Sequence, residues 1–311
     1  MKKILITKKL PIIAKALLAK KYEVDEVEGI LSKKQLIEAV KNYHGLLTTI
    51  SEKIDKNILS HAEKLEVISN YAIGLDNIDV EYAEKKNIFV YNLPDIVTNS
   101  TADLTLALLL SFVREILPAN RFVVEKKWNK WTPSCFCGEE LYGKIFGIIG
   151  FGRIGQAVAK RAISFGMKIL FFHYRKYSIP EELKGKVKQV SFEELLKKVD
   201  YLSLHMPLNE KTKGMISLSE MKKMKKKPLL INMARGAVVK TEDLLIALQE
   251  GYLKGAALDV TDPEPLPLAH PLCSLKNCLV VPHIGTATKE CRYAMAQKAA
   301  KNLLEYFEGK N

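Results

Sequence analysis

Apolar and polar residues alternate along the chain in two successive series of short strand-like runs and longer helix-like segments. In the first series, the segments between the runs carry apolar residues at helical spacing. This alternation of strand and helix is typical of a parallel α/β sheet. Its predicted strands lie at 2–7, 22–27, 45–50, 65–71 and 88–92.

A second series begins at residue 144 and predicts another parallel sheet. Its apolar runs are nearly continuous, as expected of strands that are buried on both faces. Because 311 residues are long for one domain and sufficient for two, we predict two α/β domains. The six predicted strands lie at 144–150, 167–173, 199–207, 228–234, 255–260 and 277–283, and an amphipathic helix at 289–310 ends the chain.

A helical pattern at 99–127 separates the two series. Ser100 followed by Asp103 resembles a capping box at its start. Its apolar residues surround most of the helix, so we expect burial on several sides, against another domain or another subunit. The segment 128–143, with Trp128 and Trp131, has the character of a loop, and its packing in a dimer or its reach to a neighbouring active site stays open.

The composition narrows the possible functions. The formal net charge is +13, but only seven of the 48 basic residues are arginine and the lysines are spread along the chain, so we predict no nucleic-acid binding. The strongly apolar run at 104–113 is shorter than the roughly 20 residues of a membrane span, and the start lacks the apolar stretch of a signal peptide. Five cysteines without a metal-type CxxC spacing predict free thiols, no metal site and a cytoplasmic location.

A glycine-rich turn follows the first strand of the second series and precedes a helical pattern. In this context the Gly-x-Gly-x-x-Gly spacing predicts dinucleotide binding. Gly150 permits a tight turn, Gly152 permits close approach of a pyrophosphate, and Gly155 permits close helix packing. The amides of Arg153 and Ile154 would then face the phosphates.

The end of the next strand indicates which dinucleotide is preferred. His173 stands where an NAD-specific site usually has an acidic residue for the ribose hydroxyl. Tyr174, Arg175 and Lys176 follow, so two cations could pair with a 2′-phosphate. We therefore predict NADP as the preferred cofactor, with NAD also used. The alternative is that these are ordinary surface cations.

Polar, charged or glycine residues end all six predicted strands of the second series. In open parallel sheets ligands bind at the carboxyl ends of strands, so these residues predict one site. An arginine suits a carboxylate, and a histidine with a glutamate suits proton transfer in carbonyl reduction. The strand-end residues are Gly150, His173, His205, Arg235, Asp259 and His283, and Glu264 follows the fifth strand.

Taken together, five motifs make the chain resemble the D-isomer-specific 2-hydroxyacid dehydrogenase family over essentially its whole length. They lie at 150–155, 205–214, 232–236, 257–267 and 282–288. A narrower likeness to glyoxylate/hydroxypyruvate reductases rests on 68–79, 128–138 and 259–267. The resemblance implies NAD(P)-dependent reduction of small 2-keto acids: glyoxylate to glycolate and hydroxypyruvate to D-glycerate, with NADPH preferred.

The resemblance also implies roles for individual residues. Arg235 would bind the substrate carboxylate, His283 would protonate the keto oxygen, and Glu264 would hydrogen-bond His283. Substrate contacts would also come from Thr49, Ile50, Ile73 and Gly74. Further cofactor contacts would come from His205, Pro207, Thr212, Met233, Asp259 and Gly285.

The family architecture implied by the resemblance is a Rossmann-type doubly wound parallel sheet inserted into a smaller flavodoxin-like α/β substrate domain. The substrate domain would comprise 1–98 and 287–311, and the dinucleotide-binding domain 99–286. Hinge motion would close the cleft over the substrate. A homodimer through the cofactor domain is expected.

Other functions remain open at this point. A broader D-2-hydroxyacid dehydrogenase would act on larger 2-keto acids, and a phosphite or formate oxidoreductase is a more distant possibility. A dinucleotide-sensing corepressor-like scaffold would bind the cofactor without catalysis. The complete set of Arg235, Glu264 and His283 favours an enzyme.

Overall fold

The computed structural model describes residues 1–309, and the chain forms two compact units. The first unit comprises Met1–Val97 together with the chain from Thr286 onward, and the second comprises Thr98–Gly285. Each boundary between them lies one residue before the position expected from the sequence. Among the helices of residues 1–309, none is long and apolar enough to cross a membrane.

The first unit contains a parallel sheet of five strands in the order β2-β1-β3-β4-β5. The strands β3 and β4 are buried along their whole length, which explains the apolar residues in the middle of both runs. All five lie within the predicted runs: β1 Lys3–Ile6, β2 Glu23–Glu26, β3 Gly45–Thr48, β4 Val67–Asn70 and β5 Phe89–Tyr91.

Five helices pack with this sheet. Four follow its strands in the chain, and the fifth is the final amphipathic helix, which buries Leu303 and Phe307. Ser32 caps the second helix in a capping box with Gln35. The helices are α1 Ile13–Leu18, α2 Lys33–Asn42, α3 Lys56–Ser60, α4 Val80–Lys85 and α11 Lys289–Glu308.

The second unit contains a parallel sheet of seven strands in the order β12-β11-β10-β9-β6-β7-β8. Hydrophobic clusters cover both faces, one including Phe146 and Phe171 and the other including Leu202 and Leu230. The strands are β6 Ile145–Ile149, β7 Lys168–Phe172, β8 Val187–Gln189, β9 Tyr201–Leu204, β10 Leu229–Asn232, β11 Gly255–Leu258 and β12 Cys278–Val280.

The edge strand β8 was not predicted from the sequence. It has only three residues, and the middle one is an exposed lysine, so no apolar run marks it. β8 pairs with β7 alone, through backbone hydrogen bonds that a hydrophobic pattern does not encode.

The helical stretch predicted at 99–127 is two helices, so this expectation was wrong. The chain breaks at Glu115, whose φ of +51° is left-handed. The predicted capping box is also wrong, because Ser100 lies inside the first helix and Asp103 pairs with Arg161. The helices of this unit are α5 Thr98–Val113, α6 Ile116–Val124, α7 Arg153–Ser164, α8 Phe192–Lys198, α9 Leu218–Lys223 and α10 Thr241–Gln249.

The two halves of that stretch differ in burial. The helix α5 buries residues around much of its circumference, including Leu106 and Leu109. The helix α6 buries no residue within the described chain, although its composition is apolar. Leu117 is 52% exposed, Val124 is 70% exposed, and in the loop that follows Trp131 is 77% exposed. The burial expected on several sides is therefore found for α5 only.

Candidate active site

The predicted site residues of the second unit follow consecutive strands of its sheet. Every strand pair is parallel, so the strands β12, β11, β10, β9, β6 and β7 end at one edge. Neighbouring strands lie about 4.8 Å apart, so the residues that follow them form a row along the carboxyl ends of the strands, in the order of the strands in the sheet. In this order they are His283, Asp259, Arg235, His205, Gly150 and His173.

The three glycines of the turn differ in the space that a Cβ atom would find at each position. Gly150 has a φ of +91°, and a Cβ there would lie 2.6 Å from the Met206 amide nitrogen. A Cβ on Gly155 would lie 2.3 Å from the Gly150 carbonyl oxygen. A Cβ on Gly152 would meet no atom within 4 Å, so the space in front of α7 is open to a ligand.

The loop after β7 carries the two cations predicted to select the dinucleotide. Arg175 and Lys176 are exposed, and neither makes an ion pair within residues 1–309. Gln189, at the end of the edge strand, donates from Nε2 to the carbonyl oxygens of His173 (3.2 Å) and Arg175 (2.8 Å). Its Oε1 accepts from the amide of Tyr177 at 3.0 Å. One side chain therefore holds the loop at three backbone positions.

Asp259 holds the backbone beyond His283. Its Oδ1 accepts from the Ile284 amide at 2.6 Å, its Oδ2 accepts from the Gly285 amide at 2.9 Å, and its carbonyl accepts from the His283 amide at 3.0 Å. Burial raises the pKa of the Asp259 carboxyl, although these amide hydrogen bonds and the nearby His283 oppose that change. The Asp259 carboxylate thus clamps the segment that carries the histidine.

His283 has a left-handed backbone and is paired with a glutamate. Its φ is +51°, an uncommon conformation for a residue with a side chain. Its Nδ1 lies 2.5 Å from Oε1 of Glu264, and both side chains are partly exposed. A carboxylate on Nδ1 selects the tautomer with a proton there, which leaves Nε2 to face a ligand.

Arg235 lies in a turn that is supported from two sides. The side chain of Asn232 donates to the Arg235 carbonyl at 3.0 Å and accepts from the Ala234 amide at 3.1 Å. A Cβ on Gly236 would lie 1.9 Å from the Thr261 carbonyl oxygen, so only glycine lets this turn pack against that segment. The Arg235 guanidinium donates from Nη1 to the Ala234 carbonyl at 2.8 Å.

Four predicted substrate residues lie in two loops of the first unit. Ile50 is 39% exposed, whereas Thr49 is buried and its Oγ1 donates to Glu52 at 2.8 Å. The carbonyl of Ile73 accepts from Asn92 at 2.7 Å, and that of Gly74 accepts from Asn70 at 2.8 Å. The Thr49 hydroxyl is therefore engaged within the fold.

Comparison with known proteins identifies the family. Residues 106–285 match the family model for D-isomer specific 2-hydroxyacid dehydrogenase, NAD binding domain. A glyoxylate reductase from Thermococcus litoralis is 44% identical over 99% of this chain and 94% of its own. The chain belongs to the D-isomer specific 2-hydroxyacid dehydrogenase family. It is an NAD(P)-dependent oxidoreductase, as the sequence predicted.

Solved structures of similar proteins agree with the fold of this dehydrogenase. The TT0316 protein from Thermus thermophilus is 40% identical with a TM-score of 0.92, over 99% of this chain and 97% of that one. An NADPH-dependent glyoxylate/hydroxypyruvate reductase from Sinorhizobium meliloti, in complex with NADP and malonate, is 28% identical with a TM-score of 0.86. That match covers 98% of this chain and 93% of the other. The predicted two-domain parallel α/β class is confirmed.

The turn of the dehydrogenase fits a nicotinamide dinucleotide. Gly152, the residue before the helix α7, has no side chain that could cap the first turn. The N-terminus of a helix is a place where backbone amides bind anions. Ile154 packs against the core and fixes the helix on the sheet. The open space at Gly152 is what a bound pyrophosphate would need.

The three residues predicted to contact the cofactor between 205 and 212 differ in burial and in their hydrogen bonds. Burial lowers the pKa of His205 to about 3, and its Nε2 lies 3.0 Å from the Ser203 hydroxyl, so the imidazole is neutral. Thr212 is buried and donates to the Pro207 carbonyl at 2.6 Å. The Thr212 side chain therefore stabilises its own loop, whereas Pro207 is exposed.

Met233, Gly285 and Tyr174 complete the predicted cofactor contacts. Gly285 lies near Met233, because a Cβ on the glycine would be 3.5 Å from the methionine Cε. The Tyr174 hydroxyl donates to the Lys211 carbonyl at 3.2 Å, which ties the loop at 173–176 to the 205–214 segment. The cofactor role of each stays a prediction.

Two supporting residues were missed by sequence reasoning. Asn232 stands in the NMARG motif but was not singled out, although a polar residue that ends an apolar strand was a usable signal. Gln189 had no such signal, because its strand is short and polar. Asn232 hydrogen-bonds the backbone of the turn that follows it, and Gln189 hydrogen-bonds the backbone of a loop that is distant in sequence. The spacing of apolar residues does not reveal such hydrogen bonds.

Proposed function

We propose that this dehydrogenase reduces glyoxylate to glycolate and hydroxypyruvate to D-glycerate, with NADPH as the preferred cofactor. The observation that carries the proposal is the pair of His283 and Glu264 on the same sheet edge as Arg235. The similarity to relatives named glyoxylate reductase supports the substrate class.

His283 is the proton donor in this proposal. Glu264 accepts from Nδ1 and orients the imidazole, so that the protonated ring can give the proton on Nε2 to the keto oxygen. When bound, the reduced nicotinamide supplies a hydride to the carbonyl carbon. Proton and hydride together convert the keto group to a hydroxyl, and Glu264 continues to orient the neutral imidazole.

Arg235 binds the carboxylate of the keto acid in this proposal. A guanidinium offers two parallel donors to a carboxylate, and each charge-assisted hydrogen bond contributes about 1.5–3 kcal/mol. The family resemblance also gives Ile50, Ile73 and Gly74 of the first unit as substrate-binding residues. These assignments rest on the family resemblance.

The preference for NADPH rests on the loop at 173–176. His173 introduces no carboxylate that would repel a 2′-phosphate, and Arg175 and Lys176 have no ion-pair partner within residues 1–309. Their positive charges are therefore available to a phosphate. A tenfold preference requires only about 1.4 kcal/mol, which one such contact can supply.

A homodimer is also part of the proposal. The exposed apolar residues of α6 and the following loop form a surface that a second copy would cover: Ile116, Leu117, Val123, Val124, Trp128 and Trp131. Light scattering should give twice the chain mass of 35.1 kDa, and the double variant L117E/V124E should shift the measured value toward the mass of one chain. We expect the dimer to work in the cytoplasm.

Initial rates with purified protein test the substrate and the cofactor together. The panel contains glyoxylate, hydroxypyruvate, pyruvate and a bulkier 2-keto acid, each with NADPH and with NADH. The proposal expects the highest kcat/KM for the two small substrates with NADPH. Activity with NADH alone would contradict the cofactor preference, and activity with bulky acids alone would favour the broader dehydrogenase.

The variant Arg235→Ala separates an enzyme from a cofactor-sensing scaffold. In the enzyme it removes the carboxylate contact and abolishes turnover, while NADPH binding, measured by fluorescence, stays at the parental level. A parent protein that binds NADPH but reduces none of the panel would favour the scaffold. The variant Arg121→Ala, an exposed arginine outside the site, is the matched control.

A further inference from the structure

Two loops of the first unit carry the residues that the proposed function assigns to the substrate. One contains Thr49 and Ile50, and the other contains Ile73 and Gly74. They follow the adjacent parallel strands β3 and β4. The pairing of β3 with β4 ends at Thr48 and Asn70, so contacts beyond the strands set the positions of the loops.

Asn77 links the two loops. Its Nδ2 donates to the carbonyl oxygens of Thr49 at 3.0 Å and Glu52 at 3.1 Å. Asn70, which is buried, donates from its own Nδ2 to the Gly74 carbonyl at 2.8 Å and to Oδ1 of Asn77 at 2.9 Å. A continuous path of hydrogen bonds therefore runs from one loop through two asparagines to the other.

Glu52 fixes the first loop from inside. The residue is 2% exposed, and its Oε2 accepts from the Thr49 amide at 2.9 Å and the Thr49 hydroxyl at 2.8 Å. The hydroxyls of Thr7 and Thr48 donate to the same oxygen at 3.1 and 3.2 Å. Its Oε1 is buried and has no hydrogen-bond partner within residues 1–309. The hydrogen bonds that this side chain accepts therefore all come from the first loop and from the ends of the strands β1 and β3.

The backbone reinforces the same link. The amide of Ile54 donates to the Asn77 carbonyl at 2.8 Å, and the amide of Asp79 donates to the Ile54 carbonyl at 2.9 Å. The second loop is held from its other side by Asn92, which donates to the Ile73 carbonyl. Asn77 thus stands at the centre of a rigid arrangement of both loops.

We propose that Asn77 and Glu52 are positioning residues that hold the two loops in the arrangement that binds the keto-acid carboxylate. The proposal rests on the proposed function for the identity of that ligand. Neither residue needs to touch the substrate: Asn77 sets the spacing of the loops, and Glu52 sets the direction of the Thr49 amide. Their loss should weaken binding of the keto acid and leave cofactor binding unchanged.

The variant N77D tests the link. Aspartate keeps the size and the acceptor of asparagine, but it places a carboxylate oxygen against the two carbonyls of Thr49 and Glu52. Loss of two hydrogen bonds and this repulsion should raise KM for glyoxylate by about tenfold or more. The Kd for NADPH should stay within about twofold of the parental value, because its binding residues lie in the other unit.

A matched control is N42D. The Nδ2 of Asn42 also donates two hydrogen bonds, to Glu38, but on an exposed helix end of the same unit. N42D should leave the KM for glyoxylate unchanged. If N77D also retained the parental KM, or if its Kd for NADPH rose as much as KM, the proposal would be wrong and Asn77 would be only a structural residue.

Glu52 provides an independent test by conservative rescue. Glutamine can accept from Thr49 with its oxygen and place its nitrogen where Oε1 has no partner, so E52Q should keep the parental KM within about twofold. E52A should raise KM about tenfold. Equal effects of the two variants would contradict the role of the accepting oxygen.

The proposed function and this inference can fail separately. If the parent turns over another member of the keto-acid panel but not glyoxylate, the substrate assignment fails, and N77D is then measured with the active substrate. A rise in its KM would still support the loop link. Thermal unfolding of each variant shows whether the protein is folded at the assay temperature, and E52Q remains informative if N77D unfolds.

Discussion

The two ends of the sheet edge in the second unit are built in contrasting ways. At one end, the buried carboxylate of Asp259 accepts from the amides of Ile284 and Gly285, directly after His283. At the other end, Arg175 and Lys176 lie exposed in a loop that the side chains of Gln189 and Tyr174 attach to neighbouring segments. In the proposed function, His283 transfers a proton and must be held accurately, whereas Arg175 and Lys176 select a phosphate and need only bring their charge near it.

The contrast separates rate from selectivity. Changes near Asp259 and His283 should lower kcat with every substrate and cofactor, because all reactions use the same proton donor. Changes in the loop at 173–176 should alter the ratio of NADPH to NADH use and leave the chemistry intact. Four variants test this division, and their effects should decrease in the order given.

The largest effect is expected from His283→Ala. Removal of the general acid should lower kcat/KM by about 100- to 10,000-fold with both cofactors. The Kd for NADPH should stay near the parental value, since the glycine turn is untouched. The measurement is steady-state kinetics, with His61→Ala in the first unit as the control. A loss below about tenfold would show that another group donates the proton.

The next effect is expected from Asp259→Asn. Asparagine keeps the shape of the side chain, but its Nδ2 would face one of the two amides that now donate to the carboxylate. One buried amide would then lose its acceptor, which costs about 1–3 kcal/mol. We expect kcat to fall about 10- to 100-fold through misplacement of His283. Asp103→Asn, at an exposed ion pair, is the control. An unchanged kcat would show that the clamp is not needed for catalysis.

A smaller and selective effect is expected from the double variant R175A/K176A. The loss of both cations should lower kcat/KM with NADPH about tenfold and leave the value with NADH unchanged. Lys186→Ala, an exposed lysine in the same unit, is the control. Equal losses with both cofactors would indicate a structural role for the loop, and no loss would assign the selectivity to other residues.

The smallest effect is expected from Gln189→Ala. Without the three hydrogen bonds the loop gains freedom, and the preference for NADPH over NADH should fall about two- to fivefold. The rate with saturating NADH should not change. A fall in kcat with both cofactors would mean that the two ends of the edge are coupled, which would contradict the separation of rate from selectivity.

Local patterns were sufficient for much of this fold. All the apolar runs predicted as strands contain strands, because a strand buried on both faces needs a continuous apolar segment. The glycine turn was predictable because its Gly-x-Gly-x-x-Gly spacing follows a strand and opens a helix, where Gly155 must pack against Gly150 and Gly152 leaves space for a ligand. The motif residues Arg235, Glu264 and His283 were singled out from their places after predicted strands and from the family resemblance, and their roles stay predictions.

The tertiary structure decided what depends on contacts between distant segments. The clamp of Asp259, the loop support of Gln189 and the path through Asn77 join backbone groups that are remote in sequence or turned out of regular structure. The break at Glu115 is different, because Pro118 in the first turn of α6 is a local signal that a helix starts anew there. Sequence patterns record which residues are buried and where the chain can turn. Hydrogen-bond partners are set only when the segments have packed together.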